Sequence, residues 1–569
     1  MITTELLLAP FFLPLLGSAL AYSAKAFAKG LPARILEYLG VFVGLVLPWG
    51  TLILTAGPLL QGALWEGFFG GWNSTMGIAW KFDGLTWLVN ALGFSVAGFS
   101  WIYSLGREPK GPAFSAVFLI QTSALAATAM AADLFNLFVC LEVMGIASYV
   151  LITSSGKKGA YLASFSYLMV SAAAMIFFLL GLYGFYRLTG SLSYVGIAQG
   201  LALLEQGGGV TAVVSLALIV AAVAMRAAVM PLYGWLPDAH AMAPHAVSAV
   251  LSGVLIKTPL FALGRLLELM PAGSNAGEIM GAVGAFAAVL AALVSLAQRD
   301  AKRLLAYSSI SHIGFIVAAW GGAYHLGLTT AAGQFLLAAA FLHALFHAFF
   351  KGLLFLTVGT ATDALGNRDV ETARGFKGLL TLVAFLVGAL SLVGLPPFNG
   401  FVSKMVLSKA LEGSWKDVLL LLAGIASFAS TLRLSQIFWP RKRGTVPLEI
   451  VEVEKPVQVE FFALLSQLSL ALICVLTGIF SPWILSGVMG LLSVGSQSTQ
   501  NLSQELYSYE SLLKTLAITA GGVVLYFLSK LPWIKTVLAA LRKRPRSFHG
   551  LFLAFSLGVG VLSLWLVYR

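Results

Sequence analysis

Charge is what this sequence lacks. Only 10% of its 569 residues are Asp, Glu, Lys or Arg, and 59% are hydrophobic, whereas soluble globular proteins carry about 25% charged residues. A core folded in water cannot absorb that much apolar surface, which excludes a soluble globular domain. Cysteine is nearly absent as well: Cys140 and Cys474 both lie inside apolar runs, with no spacing for a zinc or iron–sulfur site and no reason to pair. The chain contains no Cys-x-x-Cys and no Gly-Lys-Ser/Thr phosphate loop, so the sequence implies no metal, redox cofactor or nucleotide. No soluble domain and no low-complexity linker separates the apolar stretches.

What is present is a succession of apolar runs, each long enough to cross a hydrocarbon core of about 30 Å as a helix. They fall at roughly 4–24, 36–60, 84–105, 112–131, 133–154, 160–187, 211–236, 240–270, 278–297, 303–322, 330–360, 378–410, 417–440, 460–488, 512–530 and 549–567. The expected fold class is therefore an all-α polytopic membrane protein of sixteen spans. The net charge of +12 would suggest a nucleic-acid partner in a soluble protein. Here the basic residues occupy short loops and report topology instead.

Loops after odd-numbered spans hold Lys25, Lys29 and Arg34; Arg107 and Lys110; Lys157 and Lys158; Arg299, Lys302 and Arg303; Arg368, Arg374 and Lys377; Arg441, Lys442, Arg443 and Lys455; and Lys530 through Arg546. Loops after even-numbered spans hold few. Short cytoplasmic loops retain Lys and Arg, so both termini are expected outside. Leu6 to Tyr22 has its charges after the apolar stretch rather than before it, which favours a retained first helix over a signal peptide.

Two spans are interrupted. Span seven runs from Met225-Arg226 through Met230-Pro231 to Trp235-Leu236-Pro237, and span twelve contains Gly394-Leu395-Pro396-Pro397-Phe398-Asn399-Gly400. Proline removes a backbone donor and clashes with the preceding turn, so both helices should break. Non-helical backbone at membrane depth is tolerated only where protein or water satisfies it. Breaks five spans apart suggest two inverted five-helix repeats. The corresponding domains are 1–110 for the first helices, 111–270 for helices four to eight, 271–440 for helices nine to thirteen, and 441–569 for the C-terminal helices.

Charged side chains at bilayer depth cost about 2.5–3.5 kcal/mol each on insertion scales and are functional candidates by default. Glu142 lies nine residues beyond Asp133, about 13.5 Å along a helix, near the midplane. Asp133 itself starts its span and reads as a helix cap. Arg226 precedes the first break, Lys257 is central in span eight, and His312 is central in span ten. His343, His347 and Lys351 follow one another at i, i+4 and i+8 on one helical face. Lys404 lies just past the second break. Arg265 and Lys416, near span ends, read as snorkelling residues. A lone His312 would be an ordinary packing residue, and Glu142 with Arg226 could be a structural ion pair. A row of lysines and histidines, however, makes a hopping path for protons, because lysine can lose its proton when desolvated and histidine titrates near neutrality.

Pro231-Leu232-Tyr233-Gly234-Trp235-Leu236-Pro237-Asp238-Ala239-His240, followed by Ala243-Pro244 and Lys257, resembles the central signature of the antiporter-like subunits. These are shared by respiratory complex I, Mrp-type Na⁺/H⁺ antiporters and membrane-bound hydrogenases. Leu305-Ala306-Tyr307-Ser308-Ser309-Ile310-Ser311-His312-Ile313-Gly314, the stretch from His343 to Lys351, and Gly394 through Lys404 are similar to further motifs of that superfamily. The resemblance spans roughly residues 80 to 440. It implies a fourteen-helix core with two inverted five-helix repeats and a hydrated polar axis along the middle of the membrane. To that core, spans fifteen and sixteen, after the Ser- and Gln-rich stretch 489–511, look like an appendage of about two C-terminal helices. Glu142 matches the family's fifth-helix glutamate, Lys257 its eighth-helix lysine, and His312, His347 and Lys351 its central axis, which His343 extends. Lys404 matches the twelfth-helix residue that passes protons onward. The family usually has lysine on the broken seventh helix where this chain has Arg226. Arginine stays charged in proteins, so it can hold Glu142 ionised but is a poor proton carrier.

The expected function is translocation of H⁺, alone or in exchange for Na⁺, by a subunit of a multisubunit complex in the cell membrane. Its partners would be other membrane subunits, including further antiporter-like ones, and energy would come from a partner subunit or another ion gradient. The alternative is a transport-inactive scaffold of such a complex, with Arg226 as the sign of decay.

Overall fold

The computed structural model describes residues 3–27, 30–69, 78–107, 109–270, 273–440, 459–493, 506–543, 556–561 and 563–565. Lys29, Arg441, Lys442, Arg443, Lys455, Arg544 and Arg546 lie outside the described residues, as does the start of the sixteenth span.

The chain is a polytopic helical membrane protein. Among the described residues 14 helices are long and apolar enough to cross a membrane. The first five spans are α1 (Thr4–Phe27), the pair α2 (Leu31–Val41) and α3 (Pro48–Leu60), α4 (Gly84–Gly106), α5 (Pro112–Met130) and α6 (Leu134–Thr153). Then follow α7 (Lys158–Thr189), a short α8 (Tyr194–Ala202), α9 (Gly209–Arg226), α10 (Leu236–Met242), α11 (His245–Val250) and α12 (Thr258–Leu269). The second half contains α13 (Gly273–Ala297), α14 (Ala301–Leu326), α15 (Ala331–Leu365), α16 (Leu379–Val393), α17 (Asn399–Ala410), α18 (Trp415–Leu434), α19 (Phe461–Ile479) and α20 (Ser481–Leu491). Helices Tyr509–Leu528 and Pro532–Lys543 come last, with a short apolar helix at Ser556–Trp565.

Both expected breaks occur. Span seven ends as a helix at Arg226 and resumes at Leu236, and span twelve ends at Val393 and resumes at Asn399. Three further spans are interrupted: span two carries a π-helical turn, Phe42–Val46, before Pro48. Span eight is broken around Lys257 by a π-helical turn, Leu251–Leu255, and by Pro259. Span fourteen is divided at Phe480, where Pro482 begins a new segment. The structure also contains a β-hairpin, β1 (Trp65–Phe68) paired antiparallel with β2 (Ala79–Phe82), and forms helix Pro532–Lys543 where the basic pattern predicts a loop.

Three segments form the centre of the bundle. They are His245–Leu269, Ala301–Leu326 and Ala331–Leu365, on which the Lys257, His312, His343, His347 and Lys351 side chains are at most 1% exposed, so lipid does not reach them. Small residues let α13 and α14 approach closely: a Cβ on Gly284 would stand 2.7 Å from the Ala318 nitrogen, and one on Gly321 would stand 2.4 Å from the Gly281 nitrogen.

Loops from the expected basic side meet at one face. Arg303 pairs with Asp238 at 2.8 Å, Arg299 and Arg433 both pair with Glu371, and Arg368 donates to the Ala241 carbonyl at 2.5 Å. Lys302, taken in the sequence for a loop cation, is instead buried and donates to the Ala243 carbonyl at 2.5 Å. Arg265 does not snorkel either. It forms a two-pronged pair with Asp83 at 2.7 and 2.8 Å, tying the end of α12 to the start of α4. Lys416, at the start of α18, is half-buried, its Nζ 2.9 Å from where a Cβ on Gly281 would stand.

Candidate polar axis

The helix breaks set the site. Pro259 has no N–H, and the π turn before it redirects the Ile256 N–H to Leu251 and the Lys257 N–H to Val254. The carbonyls of Ser252 and Gly253 are thereby left to the Lys257 side chain, whose Nζ donates to them at 2.8 and 2.5 Å. Span twelve repeats the arrangement. Gly394 closes α16 in the left-handed conformation at φ 83°, which only glycine adopts freely, and its N–H and that of Leu395 turn back to Leu390 and Ser391. The Leu392 and Val393 carbonyls then accept from Lys404 Nζ at 2.8 and 3.3 Å. In both places an ammonium stands at the negative end of a helical segment, where a cation is favoured.

A polar connection runs from Lys257 to Lys351. Ser252, whose carbonyl holds Lys257, shares a hydroxyl hydrogen bond of 2.7 Å with Ser309. Ser309 Oγ donates to the Leu305 carbonyl at 3.0 Å. Lys351 Nζ donates to that same carbonyl at 3.2 Å and to Ser308 Oγ at 2.7 Å. Every side chain in this run is at most 1% exposed.

A second connection reaches Lys404. The imidazoles of His312 and His343 share a 3.0 Å hydrogen bond between Nδ1 and Nε2, and His343 Nδ1 lies 2.9 Å from Ser403 Oγ, next to Lys404 in the chain. His347 stands between the two connections, its ring 5.1 Å from that of His312 and one turn from Lys351 on α15. Among the described residues neither of its ring nitrogens meets a hydrogen-bond partner.

Glu142 and Arg226 form a separate pair, with Arg226 Nη2 donating to Glu142 Oε1 at 2.7 Å. Arg226 is buried and Glu142 partly exposed. The guanidinium lies over Gly145, where a Cβ would come within 2.4 Å of Nη1. Tyr167 walls the site and stacks on Trp235 with centroids 3.8 Å apart, while Trp235 Nε1 donates at 2.9 Å to the Met225 carbonyl, which also accepts from the Ala228 amide. Among the described residues no direct hydrogen bond joins this pair to Lys257. Asp133 caps α6, accepting from the Asn136 and Ala79 amides at 2.6 and 2.7 Å.

The serines that join the lysines went unremarked as site residues, although Ser308 and Ser309 stand in the Leu305–Gly314 motif. Hydroxyls are common in membrane helices, and only their register against Ser252 reveals the connection. No group of three or more potential metal ligands occurs among the described residues.

Comparison with known proteins gives a family. Residues 131–432 match the model of the NADH:quinone oxidoreductase/Mrp antiporter transmembrane family. NADH-quinone oxidoreductase subunit N of Desulforudis audaxviator is 33% identical over 488 residues, covering 80% of this chain and 94% of that protein. Hydrogenase-4 component B of Escherichia coli is 29% identical over 417 residues, 69% of this chain, which spans only 60% of that longer protein. In structure, a chain of the Mrp complex from Dietzia sp. superposes with a TM-score of 0.75 at 22% identity, covering 91% of this chain and 100% of that one. That likeness is one of fold. With a family model matching more than half its length and a relative this similar over most of both chains, the protein belongs to the NADH:quinone oxidoreductase/Mrp antiporter transmembrane family.

Proposed function

We propose that this chain is an ion-translocating subunit of a multisubunit complex in the cell membrane, moving H⁺ along the axis Lys257, Lys351, His347, His312, His343 and Lys404. The observation that carries this reading is the buried run from Lys257 through Ser252, Ser309 and the Leu305 carbonyl to Lys351. A scaffold needs no such run, because each ammonium buried at membrane depth is unfavourable unless it serves a purpose. Lysine and histidine can hand a proton on; serine hydroxyls and bridging water can pass it between them.

Glu142 and Arg226 form the electrostatic switch of the first half. Arg226 moves rather than deprotonates, so the pair opens and closes without itself relaying a proton. The names of the relatives, a quinone-reductase subunit and a hydrogenase component, favour partner membrane subunits that supply redox energy. Mrp-type exchange of Na⁺ for H⁺ is the second arrangement in keeping with the family. The basic face is assigned to the cytoplasm, with both termini outside, and the two halves 111–270 and 271–440 to inverted repeats.

The test is gradient formation by the assembled complex in vesicles. Lys257→Met and Lys351→Met should abolish it while leaving assembly intact. Normal assembly with wild-type translocation in both variants would sink the reading and put the scaffold in its place.

A further inference from the structure

We infer that His245 and Asp363 form the inlet through which protons from the basic face reach Lys351, with His240 as the intermediate station. This rests on the translocation reading above and adds the side branch that it lacks.

The branch is laid out on one helix. Lys351, Phe355, Gly359 and Asp363 follow at i+4 intervals on α15, so they share a face that climbs about 18 Å from the polar axis to the basic face. The two segments that flank the gap after span seven supply a histidine at each level. His240 of α10 lies flat on Phe355, ring centroids 4.6 Å apart. His245, the first residue of α11, lies on Gly359 so closely that a Cβ there would come within 2.3 Å of its ring. Its Nε2 is 2.9 Å from Asp363 Oδ2.

Exposure changes along this face as an inlet requires. The Asp363 side chain is 40% exposed and that of His245 only 8%, while His240 is fully buried. Among the described residues neither ring nitrogen of His240 and not Nδ1 of His245 meets a hydrogen-bond partner. Packing on Phe355 alone would be served by an apolar ring without burying two orphan polar atoms.

The charges around the pair come from every neighbouring element. Arg107, at the end of α4, lies 3.8 Å from the Asp363 oxygen that His245 holds. Lys302 of α14 and Lys157 before α7 bear on His245, and Lys302 and Lys351 bear on His240. Arg368 and Asp300 act on the same cluster through Lys302. Asp363 is thus a carboxylate among cations that offset its charge, and a proton arriving on His245 forms an imidazolium next to it.

The transfer balances simply. A proton from water at the basic face enters through Asp363 onto His245 Nε2, forming an imidazolium held by the Asp363 carboxylate, and the proton passed inward is the one on Nδ1, the buried side of the ring. It then leaves His245 for His240 through bridging water and passes in the same way to the neutral amine of Lys351. His245 and His240 end neutral and Lys351 ends as the ammonium. Arg107 takes Asp363 when His245 is uncharged.

The test uses the assembled complex in vesicles with the basic face outward, varying only the outer pH. The wild-type initial rate should rise as the outer pH falls; a flat profile overturns the inlet with no variant needed. His245→Gln and Asp363→Asn should each slow translocation roughly ten-fold and abolish the dependence on outer pH, and Asp363→Glu should restore both. Gly359→Ala, which displaces the ring and keeps both titratable groups, should do the same as His245→Gln. Wild-type rate and pH profile in all of these, with translocation lost in Lys351→Met, overturns the inlet and spares the axis. Wild-type rate in assembled Lys351→Met overturns the axis and the inlet with it.

Discussion

Lys351 Nζ and Ser309 Oγ converge on a single acceptor, the Leu305 carbonyl, at 3.2 and 3.0 Å. That shared oxygen is the joint between the two lysines, and Ser309 is the hydroxyl that reaches back across it to Ser252 at 2.7 Å. Ser309→Ala should leave Lys351 seated on Ser308 yet interrupt the joint. With one hydrogen bond worth about 1 kcal/mol net, proton translocation in vesicles should fall about five-fold, where Lys351→Met abolishes it. An unchanged rate would mean that protons bypass Ser309.

Arg226 and Glu142 test the first half. Arg226→Lys should keep or raise translocation, since lysine can release a proton as the pair separates. Glu142→Gln should reduce it sharply. Gly145→Ala would press a methyl onto Nη1, 2.4 Å from the Cβ position, and should lower the rate without removing a charge. The measurement is gradient formation, with assembly followed by native electrophoresis.

Asp83 gives a stability prediction with a definite sign. Burial raises its carboxyl, but the Arg265 guanidinium and the Thr86 amide outweigh it and hold the group below the usual carboxylate range. A depressed folded value contributes stability that is fully present above the unfolded value of about 3.9 and is lost as pH falls through the folded one. Thermal unfolding in detergent should be flat from neutrality to about pH 5 and drop below about pH 4 through this pair. Arg265→Ala, which leaves Asp83 unpaired, should destabilise by about 3–5 kcal/mol.

Gly400 governs the second break. A Cβ there would stand 1.7 Å from the Ser391 carbonyl oxygen, a contact no rotamer relieves, because the obstacle is backbone. Gly400→Ala should drive α17 away from α16 and strip Lys404 of its carbonyl partners. The chain should reach the membrane but fail to assemble, as read by pull-down of the partner subunits.

Most of the fold is legible because hydropathy and proline act locally. Apolar length marks each span, and Pro231 and Pro396 mark breaks that the structure places between Arg226 and Leu236 and between Val393 and Asn399. The break at Lys257 is only half legible: Pro259 stands in the middle of span eight and signals an interruption, but the π turn before it leaves no compositional trace. The residues of the axis were legible as costly charges, and the Glu142–Arg226 contact followed from their sign. Their connectors were not, since Ser252 and Ser309 meet only through the register of two helices 57 residues apart. Lys302 was misread because a cation beside a loop looks solvated until the Ala243 carbonyl, freed by the gap between α10 and α11, is seen to accept from it. Arg265 was misread in the same way, because its partner Asp83 lies 182 residues away.

The seats of Lys257 and Lys404 carry a mechanical consequence. Each ammonium clamps two carbonyls that its own helix break has orphaned, so removing its proton weakens the clamp as well as the charge. A neutral amine is a weaker donor to those dipoles, and water must take over part of the load or the segment ends must splay. Proton traffic and the angle between the half-helices are then one coordinate. Time-resolved infrared spectra should show the amide I band of the breaks shifting in step with each turnover, and isotope labels at the Ser252 and Leu392 carbonyls should report it at the two hinges separately.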